Sequence, residues 1–172
     1  MLSTKQGLSN DFQIFTNKLK LLDLRSIAYQ LMYSEEGERL NFEQTNRAIH
    51  LYLMFLCLIY LYPNRKLVPN QEIDRVWHYH ILDTMKYAQD CEMLFGRFIH
   101  HFPYFGKRGQ VDRQNLVAAN LDTQKLFQEH FEIDLGVGEE SSQMTDCQPV
   151  VYIEQMIRPV VDVNMNFLEF AT

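Results

Sequence analysis

Four histidines and one cysteine in a short stretch are the residues of this sequence whose side chains offer the most chemistry. They are His78, His80, Cys91, His100 and His101. Imidazole nitrogen and thiolate sulfur together are ligands that suit zinc, and iron or copper accept them in suitable geometry. The stretch therefore contains a candidate metal site of His78, His80, Cys91 and His101, with zinc or iron as the candidate cofactor.

A predicted helix over residues 69–95 has to position most of these side chains. On a continuous helix, His80 and Cys91 lie on one apolar stripe. His78 lies about 200° away around the same helix and is placed to pair with Asp74, one turn earlier. The two histidines can share a metal only if the helix breaks.

Two arrangements around His80 stay open at this point. Asp83 and Thr84 are residue types that begin helices, so the helix could break there and let a WHYH corner at residues 77–80 converge. Without that break, a metal on His80 needs Cys91 and either His100 or His101, brought back by the loop that follows Gly96.

Packing is the competing interpretation for the same residues. A histidine or cysteine on an apolar helix stripe is more often a core residue than a ligand. Trp77 is typical of a core anchor whose indole N–H needs an acceptor. Asp74 and His78 form either a surface pair or a carboxylate that orients a working imidazole. We assign Asp74, Trp77, Tyr87 and His100 to a candidate binding surface around the metal candidates.

The remaining sequence predicts an all-α fold of about four main helices. Besides residues 69–95, apolar spacing predicts helices over residues 10–35, 42–62 and 112–131. We expect a helical domain over residues 1–135 and a polar, flexible linker over residues 136–149. Residues 150–172 are rich in β-branched and aromatic side chains and are expected to form an extended strap or short strands.

Net charge, cysteine content and the length of the apolar stretches indicate which partners and which compartment to expect. The 172 residues include 16 Lys and Arg against 22 Asp and Glu, a formal net charge of −6, so we expect no nucleic-acid partner. Three cysteines are too few for a disulfide framework and indicate a reducing compartment. Residues 51–62 are apolar but too short to span a membrane, and the first residues do not resemble a signal peptide. We expect a cytoplasmic protein, with export independent of a signal peptide also compatible.

The run IDRVWHYHILDTMKYAQDCEMLFG at residues 73–96 resembles the central motif of the glycine-rich domain-containing protein family of plants and bacteria. The resemblance rests on Asp74, Trp77, His78, His80, Tyr87, Cys91 and Gly96. It implies no defined reaction. The chain has only seven glycines and lacks the glycine-rich tail and the RNA recognition motif of some plant relatives, so RNA binding is not implied.

The leading functional hypothesis is a helical binding or interaction domain that holds a His/Cys metal site. The alternative is a metal-dependent enzyme that uses Asp74, His78, His80, Cys91 and His101. A catalytic metal site keeps a coordination position open, whereas a structural site is closed by protein ligands. The apolar segment at residues 150–172 is a candidate docking segment for another protein.

Overall fold

Six helices and no strand make up the part of the chain that the structure, a computed structural model, describes, namely residues 3–35 and 37–136. The helices are α1 (Ser3–Leu19), α2 (Arg25–Tyr33), α3 (Phe42–Leu61), α4 (Gln71–Leu82), α5 (Thr84–Phe95) and α6 (Gln110–Phe131). The prediction of an all-α fold is confirmed. The predicted strap at residues 150–172 lies outside the described residues, as does the predicted linker beyond residue 136, so this division into domains stays a prediction.

Helix α3 lies at the centre and packs against α1, α2, α4 and α6. Asn41 begins this helix, because its side chain accepts a hydrogen bond from the backbone N–H of Gln44 while the Gln44 side chain accepts one from Asn41. Between Leu51 and Leu58 only Met54 is not fully buried, as an all-round apolar helix predicts. Across residues 3–35 and 37–136, no helix is both long and apolar enough to span a membrane.

The one helix that apolar spacing predicts over residues 10–35 is in fact two helices, α1 and α2. Leu22 and Leu24 in the connection are both buried. Side chains two residues apart point in different directions on a helix, so a bend is needed to bury both. Asp23 stabilises the start of α2, because its carboxylate accepts hydrogen bonds from the backbone and the guanidinium of Arg25.

A second break separates α4 from α5 at Asp83, at the point where the sequence contains two helix-starting residue types. The Asp83 side chain accepts a hydrogen bond from the backbone N–H of Lys86 at 3.4 Å. Residues ten apart on a continuous helix are separated by about 15 Å along the axis. Trp77 and Tyr87 nevertheless hydrogen-bond at 2.8 Å between side chains. The break therefore folds α5 back against α4.

Gly96 ends α5 in the left-handed conformation, with φ of 64°, and its N–H donates to the carbonyl of Glu92. Apart from Gly96 itself and its two chain neighbours, no residue has an atom within 4 Å of the position that a Cβ would occupy. Gly96→Ala is therefore expected to lower the free energy of unfolding by about 1 kcal/mol through backbone strain alone. Urea unfolding followed by circular dichroism measures the change. Gly96→Asn should lose less, because asparagine tolerates this conformation better, and equal losses in the two variants would contradict the explanation.

Candidate functional site

Asp74, His78 and His101 form a cluster on the surface of the bundle, here called the surface triad. The His101 Nε2 atom lies 2.9 Å from Oδ1 of Asp74, and the His78 Nε2 atom lies 3.6 Å from Oδ2 of the same carboxylate. The three ligand atoms all lie within 4.8 Å of one another. The carboxylate therefore contacts both imidazole rings, which also contact each other edge-on with their centroids 4.8 Å apart.

Two elements bring the surface triad together. Helix α4 supplies Asp74 and His78, which are four residues apart and so lie on one face one turn from each other. The loop between α5 and α6 supplies His101, whose ring packs edge-on against the indole of Trp77 at 4.8 Å between centroids. A buried Trp77 thus supports the ligand that comes from the loop.

The far end of this loop is tied to the start of α6 by Asp112. The Asp112 carboxylate accepts hydrogen bonds from the backbone N–H groups of Gly106 and Arg108 and from the Arg108 guanidinium. The hydrogen bond from the Arg108 side chain lowers the pKa of Asp112 to about 2. The backbone hydrogen bonds from Arg108 and Gly106 act in the same direction, and burial acts in the opposite one. The carboxylate stays ionised at neutral pH, so these bonds continue to hold the loop.

His80 lies in a different place, inside the bundle. Its Nδ1 atom is 2.9 Å from the hydroxyl of Tyr52 on α3, and its Nε2 atom is 2.8 Å from Oδ2 of Asp90 on α5. The same Oδ2 accepts a hydrogen bond from Nζ of Lys86 at 2.7 Å. Tyr52, His80, Asp90 and Lys86 are called here the buried network. Both ring nitrogens of His80 are therefore engaged by protein side chains.

The charges of the buried network follow from burial and hydrogen bonding. Burial lowers the pKa of His80 below its ordinary value, and this effect exceeds the opposing hydrogen bond to Asp90. Burial alone would raise the pKa of Asp90, but hydrogen bonds from His80 and Lys86 outweigh it and lower that pKa. A neutral His80 beside an ionised Asp90 places the ring hydrogen on Nε2. The Nδ1 atom then accepts from the Tyr52 hydroxyl.

Cys91 is buried next to this network. Burial raises the pKa of its thiol, although interactions with the backbone of Ile99 and with the Tyr87 side chain act in the opposite direction. Metal binding and nucleophilic attack both require the thiolate. The surroundings of Cys91 thus favour the protonated, packing form of the side chain.

Trp77 and Tyr87 join α4, α5 and the loop after α5. The Trp77 indole N–H donates to the Tyr87 hydroxyl, and this hydroxyl donates to the backbone carbonyl of Ile99. Tyr87→Phe removes both bonds and leaves the buried indole N–H and carbonyl without these partners. We expect a loss of about 1–3 kcal/mol in the free energy of unfolding, together with a shift in the fluorescence of Trp77, the sole tryptophan.

Chemical denaturation of wild type and Tyr87→Phe checks this loss. Tyr79→Phe is a suitable comparison, because Tyr79 is only partly buried on α4 and is expected to lose less. A Tyr87→Phe protein as stable as wild type would show that water replaces the lost hydroxyl.

The sequence-predicted residues fall into two groups that the fold keeps apart. His78 and His101 lie in the surface triad with Asp74, while His80 and Cys91 lie in the interior with Tyr87. Trp77 separates the groups as a core residue. His100 is exposed and contacts the ring of Phe98. The break at Asp83 follows both His78 and His80, so it does not make the WHYH corner converge.

Asp74 belongs to the predicted binding surface and to the enzyme alternative but not to the four predicted metal ligands, although its spacing from His78 is compatible with a shared ligand set. The sequence-based predictions also do not include Tyr52, Asp90 and Lys86 as partners of His80. The spacing of Lys86 and Asp90 by four residues could have indicated their ion pair, but no local pattern connects Tyr52 to His80.

The fold and the surface triad define an all-α protein with a candidate metal-binding surface. The family described as UCP032817-like matches residues 27–117, more than half of the chain. The chain therefore belongs to the UCP032817-like family. No curated protein and no solved structure matches it.

The predicted membership of the glycine-rich domain-containing protein family is wrong, because the family that matches is UCP032817-like. The residues that suggested the other family include Trp77, Tyr87 and Cys91, which are buried in the core. Many helical proteins bury aromatic and cysteine side chains at helical spacing in their cores. A short run of them does not distinguish one helical family from another.

Proposed function

We propose that this chain is a helical metal-binding domain whose site is the surface triad of Asp74, His78 and His101. The observation that supports the proposal is the approach of two imidazole nitrogens and a carboxylate to within 4.8 Å of one another. Metal–ligand bonds of about 2.0–2.2 Å at tetrahedral angles place donor atoms about 3.3–3.6 Å apart, so the three donor atoms have to approach one another by about 1 Å. Small side-chain movements are enough to complete the site.

The ligand set indicates the class of metal. Two histidines and one carboxylate bind zinc in catalytic sites and iron(II) in non-haem sites. Zinc and iron(II) are thus the candidate ions, and calcium or magnesium, which prefer oxygen ligands, are disfavoured. The ion would replace the direct contacts between the carboxylate and the imidazoles, and its charge would hold the loop residue His101 against α4.

The exposure of the surface triad suits an open metal site. The His78 side chain is 48% exposed and the Asp74 side chain 36% exposed, so one side of the cluster faces solvent. Three protein ligands leave at least one position of a tetrahedral ion for water or for another molecule. A binding domain can use that position to hold a partner's side chain or a small ligand.

A metal-dependent enzyme is the second candidate, and the same open position favours it. In that case the ion would activate a bound water or polarise a bound substrate. His80 and Cys91, which the original enzyme hypothesis included, lie in the interior and would act only by supporting α4 and α5.

Metal stoichiometry tests the proposal. The full chain, purified without a tag and stripped with a chelator, is titrated with Zn²⁺ in a calorimeter and followed by the fluorescence of Trp77, which contacts His101. We expect one ion per chain, and the absence of saturable binding would reject the proposal. Co²⁺ then tests the open position on which the enzyme candidate depends, because azide shifts the visible spectrum of an open site but leaves that of a closed site unchanged.

A further inference from the structure

Helix α6 is buried along only part of its length. Its fully buried residues, Thr123, Leu126 and Phe127, all lie in the C-terminal half. In the N-terminal half, Val117 is 54% exposed and Leu121 is 60% exposed. A helix of 22 residues thus presents apolar side chains to solvent over about half its length.

The exposed apolar side chains line a shallow groove on one face of α6, called here the α6 groove. It is lined by Gln110, Arg113, Gln114, Val117, Ala118 and Leu121. These positions follow steps of three and four residues, which is the spacing of a single helix face. The polar members, Gln110, Arg113 and Gln114, lie toward the start of the helix, and the apolar members, Val117, Ala118 and Leu121, lie toward its middle.

The path of the chain after α6 leads back toward this groove. Glu132 adopts the left-handed conformation, with φ of 56°, and ends the helix. Ile133 and Leu135 then pack against the core. The Gly136 carbonyl accepts a hydrogen bond from the Gln124 side chain at 3.0 Å. Residue 136 therefore lies beside the middle of α6, and Leu121 is only one turn further along.

We propose that the α6 groove is the docking site for residues 150–161 of the same chain. This segment, VVYIEQMIRPVV, is the first strongly apolar stretch after residue 136. The groove is about 16 Å long, which corresponds to about five residues of extended chain. The thirteen residues before the segment can reach every part of the groove, since an extended chain spans about 3.3 Å per residue.

A segment of the same chain has an advantage over a separate partner. A short connection gives it an effective concentration in the millimolar range at the groove. At that effective concentration, burial of only a few apolar side chains is enough to hold the segment, so the small size of the groove is sufficient for docking. This inference is independent of the surface triad, which lies on α4 and the loop before α6.

Photo-crosslinking in the full chain tests the proposal. A benzophenone amino acid replaces Val117, which is in the groove, or Asn115, which is exposed on another face of α6. Both positions are exposed, so both variants should fold, as circular dichroism can verify. After irradiation at low protein concentration, the monomer is digested and its crosslinked peptides are identified by mass spectrometry.

We expect crosslinks from position 117 to residues 150–161 in the monomer, at a yield at least about tenfold above that from position 115. Adding Val151→Asp and Ile153→Asp to the full chain should reduce that yield to the level of position 115. Equal yields at the two positions, crosslinks found only in a dimer, or a yield that the two aspartates leave unchanged would each overturn the proposal.

Discussion

His101→Ala is expected to lower the affinity of the chain for Zn²⁺ at least tenfold, whereas His100→Ala beside it leaves the affinity unchanged. Residues that merely support metal ligands typically contribute about tenfold to hundredfold, so loss of a ligand should cost at least as much. His101 contacts the Asp74 carboxylate at 2.9 Å. His100 is exposed and contacts Phe98 instead. The adjacent histidines therefore form a matched pair of site and control.

Calorimetric titration of the chelator-treated proteins measures these affinities. Asp74→Asn and His78→Ala should weaken binding in the same way, because each removes one of the three ligand atoms. Thermal unfolding in the presence and absence of Zn²⁺ provides a second measurement, since a ligand that binds the folded state raises its stability. Equal affinities of His100→Ala and His101→Ala would contradict the assignment of His101 to the site.

His80→Ala is expected to have the largest effect on stability, a loss of about 3 kcal/mol in the free energy of unfolding. The imidazole is 2% exposed and connects α3, α4 and α5 through Tyr52 and Asp90. Its removal leaves a cavity, a buried hydroxyl without its partner, and a carboxylate that retains only its bond to Lys86. Each of these consequences destabilises the folded state.

The control for this loss is His78→Ala, two residues away on the same helix. His78 is exposed, so without metal its replacement should change the free energy of unfolding by less than about 0.5 kcal/mol. Urea denaturation in the presence of a chelator measures both variants. If His80→Ala fails to fold, Tyr52→Phe tests the same network by removing only a hydroxyl, with an expected loss of about 1–3 kcal/mol. A Tyr52→Phe protein as stable as wild type would contradict a stabilising role for the hydrogen bond between Tyr52 and His80.

The two histidine variants also separate metal binding from folding. His78→Ala should lose Zn²⁺ affinity while it retains stability, and His80→Ala should lose stability while its folded fraction still binds Zn²⁺. A His80→Ala protein that remains folded but no longer binds the ion would show that the two groups are coupled more closely than their separation implies.

The sequence alone determined the features that depend on neighbours a few residues away. Asn41 and Asn70 begin helices through hydrogen bonds to the backbone three residues later, and Gly96 ends one. The apolar spacing of α3 predicts its burial, and the spacing of Asp74 and His78 predicts their contact. Local hydrogen bonding and helix periodicity act within a turn or two, so they can be read directly from residue order.

Tertiary structure alone decided which histidines meet which partners. His101 reaches Asp74 across 27 positions of sequence, and Tyr52 reaches His80 across 28. The angle between α4 and α5 at Asp83 determines that His80 meets Asp90 in the interior while His78 faces solvent. These contacts depend on how whole helices pack to bury their apolar faces. The packing of the helices depends on contacts among many side chains that are far apart in the sequence, so no local pattern of residues predicts it.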